Sequence, residues 1–445
     1  MAFVAAAFVR LCGYLQDPRL VARFQRLCGV EGTFSEEEEE DTARLKGDPS
    51  KQPEDREYPR QRNPPRDPET KMEDHQEDRE EHRTRDVGNG SAGEPGGGGD
   101  GGDGDAARAK PLRRNSLTGD AGHEFIVRNR LLFYLFTFGT ELGNEMFFIA
   151  FFPFLFWNLD ALVGRRLIVV WAWNLFLGQS TKDLVRWSRP ASPPVVKVEV
   201  FYNSEYSMPS THAMTGTAIP FSLFLLSCGR WEYSFSFGLS VALAWSLLVC
   251  VSRVYMGMHS VLEVITGFLY SLLILAVLQP MLDAIDGFYA THPLAPLAIV
   301  LSHVGMGLLA FSLDSWSTSR GDTAQALGTG VGTALGTHVN HRLGLLTDPP
   351  LSALPLAVPA AGVGLVGRSL ARFVLGVAVL LVCRMVMKAV TIPGLCRVFG
   401  IPAGDVRSAR QHMRVELPYR YIVYSVVGFC CVSVVPFVFG MVNLA

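Results

Sequence analysis

Charge is scarce over most of this chain. Asp, Glu, Lys and Arg make up 18% of its 445 residues against 49% hydrophobic ones, and the charged residues crowd into roughly the first 130 positions. No basic stripe of the kind that neutralises a phosphate backbone is present and the formal net charge is −2, which argues against a nucleic-acid partner. No C-x-x-C pair occurs among the eight cysteines, which argues against zinc. A disulfide framework is not expected either. Cys228, Cys250, Cys383, Cys430 and Cys431 sit in apolar runs, where they read as small packing side chains, and Cys12 and Cys28 lie in the N-terminal tail. No small-residue cleavage site follows the first apolar stretch, so that stretch is a poor secretory signal.

What is present divides in two. Residues 1–30 alternate apolar positions (Phe8, Val9, Leu11, Leu15, Leu20, Val21, Phe24, Leu27) with Arg10, Arg19, Arg23 and Arg26. An amphipathic helix lying on a membrane and a short helix docked on the protein both fit that pattern. Residues 31–115 read as a disordered tail. Glu36 to Glu40 are consecutive acids, residues 51–86 are rich in Pro, Glu, Asp and Arg, and residues 88–104 are mostly Gly and Asp. Such composition buries too little apolar surface to offset the entropy of ordering it. Within the tail, Arg113-Arg114-Asn115-Ser116 has the form of a basic-directed kinase site at Ser116.

From about residue 131 the chain becomes a series of apolar runs long enough to cross a hydrocarbon core of about 30 Å. The expected spans are 131–156, 166–183, 212–228, 234–251, 260–280, 296–313, 324–344, 352–366, 369–390 and 420–443. The Gly- and Ala-rich stretch 324–366 reads as spans, half-spans or re-entrant loops. The expected architecture is therefore all-α: a polytopic membrane protein of about 8–10 transmembrane helices. Its helical core covers residues 131–280, and further transmembrane helices cover 281–445.

Three polar clusters interrupt the apolar pattern. Lys182 and Arg189, followed by Pro190, are two helical turns apart at the end of the second span. Pro209-Ser210-Thr211-His212 opens the third, where Ser and Thr cap a helix and its free N–H groups attract anions. Ser252-Arg253 and then His259 and Glu263 lie between the fourth and fifth spans, the last two one helical turn apart. Each cluster alone has a plain reading: a basic helix flank, a capped helix with a surface histidine, and a solvated ion pair. Topology ties them together, because one loop carries the first two and two further spans return the chain to the same face for the third. Three cations, two histidines and a carboxylate then meet at one membrane face.

In this order, K-x₆-R-P, P-S-x-H and S-R-x₅-H-x₃-acid resemble the motifs of the type 2 phosphatidic acid phosphatase (PAP2) superfamily, over residues 182–263. The stretches Ser188–Pro220, Ser252–Ser260, Phe138–Phe148 and 113–120 (RRNSLTGD) resemble its sphingosine-1-phosphate phosphatase branch, and the long tail is similar to the type 1 rather than the shorter type 2 members. Two positions depart from the superfamily pattern: Thr211 stands where Gly is common, and Glu263 where Asp is usual.

The resemblance implies a PAP2-like helical core and hydrolysis of a lipid phosphomonoester in the endoplasmic reticulum membrane, with a sphingoid base phosphate as substrate and with no cofactor or metal. It implies His259 as nucleophile, Glu263 as the group that orients it and His212 as general acid and base. Lys182, Arg189, Ser210, Thr211 and Arg253 would hold the phosphate. Phosphatidic acid or ceramide-1-phosphate as substrate, and a non-enzymatic transporter or scaffold on the same fold, are the alternatives. Glu141 and Glu145, one turn apart in the first span, read as a structural pair between helices or as partners for a substrate amine. His303, His338 and His341 read as packing or loop residues, and Tyr202 and Tyr206 as lining of the headgroup entrance or loop packing. The basic residues Arg108 to Arg130 favour a cytosolic tail, which with two spans following puts the active face on that side too; related enzymes face the lumen or exterior, and the sequence leaves the two in conflict.

Overall fold

A computed structural model of the chain describes residues 2–34, 107–112, 122–200, 205–313, 319–346, 348–360, 362–402 and 412–444. Residues 1–30 form two helices, α1 (Ala2–Gln16) and α2 (Pro18–Leu27). They divide where Asp17 accepts from Arg19 N and Pro18 starts the second helix. Of the two readings of this stretch, α2 takes docking on the protein. It buries Val21, Ala22 and Gln25, while α1 keeps Val4, Phe8 and Val9 exposed.

A small antiparallel sheet follows, with β3 (Phe125–Val127) between β1 (Val30–Gly32) and β2 (Ala107–Ala109), so that Val30 and Ala107 both stand opposite Val127. The two ends of the tail expected to be disordered are thus strands; most of it, with Arg113, Arg114 and Ser116, lies outside the described residues.

The rest is helical: α3 (Arg130–Glu141), α4 (Glu145–Asn158), α5 (Ala161–Val185), α6 (Thr211–Ser227), α7 (Phe235–Tyr255), α8 (Val261–Thr291), α9 (Ala295–Leu313), α10 (Arg320–Arg342), α11 (Val363–Phe399) and α12 (Met413–Phe429). The last continues through a π-helical turn, Cys430–Val434, into α13 (Val435–Met441). Local sequence sets the starts: Asn129, Asp160, Ser210, Ser234 and Ser260 each accept a backbone N–H of the helix they precede. Among the described residues six segments are long and apolar enough to cross a membrane, namely α5, α7, α8, α9, α11 and α12–α13. The protein is a multi-pass membrane protein.

Two expected spans are corrected. Residues 131–156 are not one helix but two, broken at Leu142-Gly143-Asn144. A Cβ at Gly143 would stand 2.9 Å from Val249 Cγ1, so the break lets the chain press against α7. Residues 352–366 are not a span. Pro349, Pro350, Pro355 and Pro359 remove backbone donors, leaving a short 3₁₀ turn at Leu351–Ala353 and extended chain before α11 begins.

The glycine-rich stretch before them is a full buried helix, α10. Its Gly328, Gly332 and Gly336 form a seam against α12, where a Cβ on Gly328 or Gly332 would meet the carbonyl oxygens of Tyr421 (2.5 Å) or Ser425 (1.9 Å).

The end of α5, the start of α6, the end of α7 and the start of α8 share one face. The opposite end is tied by ion pairs: Arg165 Nε with Asp286 (2.7 Å) and Arg230 Nε with Asp160 (2.5 Å). Helix α2 docks on the first face. Gln25 Nε2 donates to Val196 O (2.7 Å) and Tyr255 O (2.9 Å), and its Oε1 accepts from Val196 N (3.0 Å). Helices α1 and α2 and the three polar clusters therefore lie at the same end of the helix bundle.

Candidate active site

The site begins where α5 stops. Arg186 adopts a left-handed conformation (φ 54°) and ends the helix, and the chain leaves as a loop to Ser210. That loop is stitched to the turn between α7 and α8. Arg189 Nη1 donates to Met258 O (2.9 Å), and Lys197 Nζ donates to Pro190 O (2.9 Å) and Gly257 O (2.8 Å). Gly257 (φ 70°) makes the turn, in a conformation L side chains rarely adopt, and its missing Cβ would lie 2.1 Å from Val196 O. Under this loop pack Val198, Tyr255, Met256 and Met258, with Val30, Phe125 and Val127 of the small sheet.

His259 follows the turn and is buried. Its Nδ1 lies 3.1 Å from Glu263 Oε2 and 3.2 Å from Ser207 Oγ, and its Nε2 lies 3.3 Å from Arg189 Nη1. Glu263 Oε2 also accepts from Ser207 Oγ and from Ser260 N (3.0 Å), while Ser260 Oγ accepts from Glu263 N (3.4 Å). This is a capping box, so the element that starts α8 also aims the carboxylate at the imidazole. Burial, then the charges of Arg189, Arg253, Lys182 and His212, hold His259 well below the usual histidine range. The imidazole is neutral at neutral pH. An ionised Glu263 takes its Nδ1–H, which leaves the lone pair on Nε2.

Arg189 stands at that nitrogen, and the charges of Arg253 and Lys182 also reach the ring. Lys182 Nζ lies 3.1 Å and Arg189 Nη2 3.9 Å from Glu205 Oε2. Arg253 is wholly buried. Its Nη1 pairs with Glu199 Oε2 at 3.0 Å, while Nε and Nη2, one edge of the guanidinium fork, are buried with no hydrogen-bond partner among the described residues. A fork edge of that kind matches two oxygens of a phosphate. Burial, then the Glu205 and Arg253 charges in opposite senses, leaves Arg189 somewhat below the usual arginine value.

Ser210 caps α6 through Oγ, which accepts from Ala213 N (3.4 Å), and its own N–H donates to Glu263 O (3.2 Å). Gly267 permits that approach, since a Cβ there would be 2.7 Å from Ser210 O. Thr211 is the first residue of α6, buried against Gly178. His212, half-buried, borders a cavity beside Gly143 and Glu145, and its charge reaches His259.

All eight residues singled out from the sequence are thus placed at one end of the helix bundle. Of the others, Glu141 accepts from Asn144 Nδ2 (3.2 Å) at the α3–α4 break. His303 and His338 donate to the carbonyls of Ile299 (2.9 Å) and Tyr289 (3.0 Å), away from the site. Tyr206 is half-buried, and Tyr202 lies outside the described residues.

Sequence reasoning missed Lys197, Glu199, Glu205 and Ser207, which hold the cations and the imidazole in place. The signal was available: charged residues recur in a loop whose neighbours are Val195, Val196, Val198 and Val200, and a buried charge needs a partner. Burial, aided by Arg189, pushes the Lys197 ammonium down to about 7.

A neutral imidazole oriented by a carboxylate, ringed by cations at the edge of a bilayer, suits attack on the phosphorus of a lipid phosphomonoester. Residues 163–285 match the PAP2 superfamily model. The chain is 50% identical to sphingosine-1-phosphate phosphatase 1 of Rattus norvegicus over 97% of both chains, and 51% identical to that of Mus musculus over 98% of both. It is 33% identical to sphingosine-1-phosphate phosphatase 2 of Homo sapiens, over 97% of this chain and 98% of the relative. The chain belongs to the PAP2 superfamily and, within it, to the sphingosine-1-phosphate phosphatase family. No solved structure matches it.

Proposed function

We propose that the protein hydrolyses sphingosine-1-phosphate and related sphingoid base phosphates to the sphingoid base and inorganic phosphate. The observation that carries this reading is the His259–Glu263 pair facing Lys182, Arg189 and Arg253, in a chain that matches its sphingosine-1-phosphate phosphatase relatives over nearly their full length.

His259 Nε2 attacks phosphorus while the bond from phosphorus to the C1 oxygen breaks, and His212 gives that oxygen its proton. His212 then takes a proton from water as the water attacks the phosphohistidine, releasing phosphate and restoring both imidazoles. Glu263 holds the Nδ1 proton and stabilises the charge that develops on the ring. Lys182, Arg189, Arg253 and the N-terminal end of α6 at Ser210 and Thr211 stabilise the equatorial oxygens as charge spreads over them. Three protein cations meet that need with no metal in the scheme. Among the described residues no group of three or more His, Cys, Asp and Glu side chains is arranged to hold a metal ion.

The membrane is that of the endoplasmic reticulum, and Ser116 is a site for a basic-directed kinase; family resemblance supports the first and the Arg113-Arg114 pair the second. Phosphate release from sphingosine-1-phosphate, phosphatidic acid and ceramide-1-phosphate by the detergent-purified chain tests the function. Sphingosine-1-phosphate is expected to be turned over fastest, and His259→Ala is expected to release none. Turnover of phosphatidic acid alone would replace the substrate, and full activity of His259→Ala would remove the mechanism.

A further inference from the structure

Beside His212 lies a small cavity of about 30 Å³, walled by Glu145, Gln179, Glu205, His212 and Asp322, with Trp171 on its apolar side. Room on that scale takes an ammonium group with a water or two, and not a second chain.

The wall is acidic, and its polar groups are not satisfied by one another. Gln179 is 4% exposed, and its Oε1 is buried with no hydrogen-bond partner among the described residues although the side chain lines the cavity. A buried carbonyl oxygen without a donor is costly, and it can only accept. Glu145 and Asp322 line the same small space, and two carboxylates held together there are relieved by a shared proton or by a cation. Arg420, which stands 3.7 Å from Asp322, lies closer to Glu416 at 2.7 Å. One guanidinium, Arg420, thus serves both Asp322 and Glu416, and one ammonium, Lys182, serves Glu205 at 3.1 Å, so with Glu145 the carboxylates outnumber the cations at this wall.

We propose that this cavity is the site for the substrate's ammonium group, with Gln179 Oε1, Glu145 and Asp322 as its acceptors, and that it sets the preference for amine-bearing phosphomonoesters. This inference rests on the proposed function, in which the phosphate sits on Lys182, Arg189 and Arg253. In a sphingoid base phosphate the amine is on the carbon next to the phosphoester carbon, so a phosphate on those cations and a leaving oxygen at His212 bring the amine to this wall.

Glu205 joins the two subsites. Its carboxylate holds Lys182 at 3.1 Å and also lines the cavity. A zwitterionic substrate exchanges its phosphate for Glu205 at Lys182 and offers its ammonium to Glu205 in return. A phosphomonoester with no amine takes the cations and leaves Glu205 facing like charge.

The test compares two substrates of equal chain length, sphingosine-1-phosphate and its analogue with hydroxyl in place of the amine, on the full chain in detergent micelles. The wild type is expected to favour the amine at least tenfold in kcat/KM. Glu145→Gln and Asp322→Asn are expected to bring that ratio below about threefold, mainly through KM of the aminated substrate. Gln179→Leu, which removes the acceptor without charge, should lower it by a smaller factor. Equal kcat/KM for the two substrates in the wild type overturns the inference and leaves the phosphatase function standing. So does a ratio that survives in both acidic-residue variants. Hydrolysis of neither substrate by the wild type would overturn the proposed function and this inference with it.

Discussion

Gly257→Ala is the sharpest perturbation the site allows, because two separate costs fall on one methyl group. The backbone at Gly257 has φ 70°, where a non-glycine residue costs about 1–2 kcal/mol. The added Cβ would also lie 2.1 Å from Val196 O, a backbone atom held by Gln25, and 2.9 Å from Val195 Cγ1. Carbon and oxygen need more than 3 Å, so the two loops must part by about an ångström. Gly257 precedes His259 by two residues, and its carbonyl is one of the two that Lys197 holds. The displacement therefore reaches the nucleophile, and a misplacement of about 1 Å in a reacting group costs on the order of 10²-fold in rate.

Gly229→Ala separates the two costs, since Gly229 has φ 74° but nothing within 4 Å of its Cβ position. It is expected to lose about 1–2 kcal/mol of stability at most and to keep its kcat. Gly305→Ala, with neither feature, should match the wild type. The assay is phosphate release by each detergent-purified variant, with thermal unfolding to confirm that it is folded. Gly257→Ala within threefold of wild-type kcat would refute the claim that this turn positions His259.

Other outcomes follow from the same geometry. His259 has its folded-state affinity for protons lowered, so as pH falls through about 6.5 the unfolded chain takes up a proton first and stability declines; a thermal midpoint that rises on acidification would contradict this. Lys197 titrates near 7 when folded and near 10.5 when unfolded, so stability should rise with pH across that window, and Lys197→Met should flatten the rise. Excess chelator should leave turnover unchanged, because three side-chain cations stabilise the phosphoryl oxygens; a strict requirement for a divalent ion would count against that role. Gln25→Leu leaves Val196 N and O and Tyr255 O without partners and should cost about 1–3 kcal/mol with partial loss of activity; an unaffected variant would mean that α2 does not brace the site.

The three clusters were readable because each sits at a helix end, where sequence and structure are linked by short-range chemistry. Ser210 and Ser260 cap helices, and the Ser260–Glu263 spacing is itself a capping box. Lys182 and Arg189 sit at the end of a helix whose hydropathy stands out. The loop between clusters has no periodicity, so beyond the valines that flank them little told Lys197, Glu199 and Glu205 from solvated charges; the partners they meet in the fold do so, the carbonyls of Pro190 and Gly257 for Lys197, Arg253 for Glu199 and Lys182 for Glu205. Helix α10 was ambiguous for a related reason. Its interior is set by glycines that admit a neighbouring backbone, and a hydropathy pattern registers apolar area rather than close approach. The break at Leu142-Gly143-Asn144 did leave a mark, the polar stretch from Thr140 to Glu145, but two carboxylates one turn apart fit a continuous helix as well as a helix end, and the contacts with Val249 and His212 that the break serves lie far along the chain. Residues 352–366 were misread in the opposite sense, with apolar composition weighed above their prolines.

The account turns on a covalent bond between phosphorus and one ring nitrogen. Rapid acid-free quenching of the chain with ³²P-labelled sphingosine-1-phosphate, followed by mapping of the label, tests it directly. The account predicts label on His259 alone, stable in alkali and lost in acid, and none in His259→Ala. Turnover with no covalent label, or label on another residue, would contradict it.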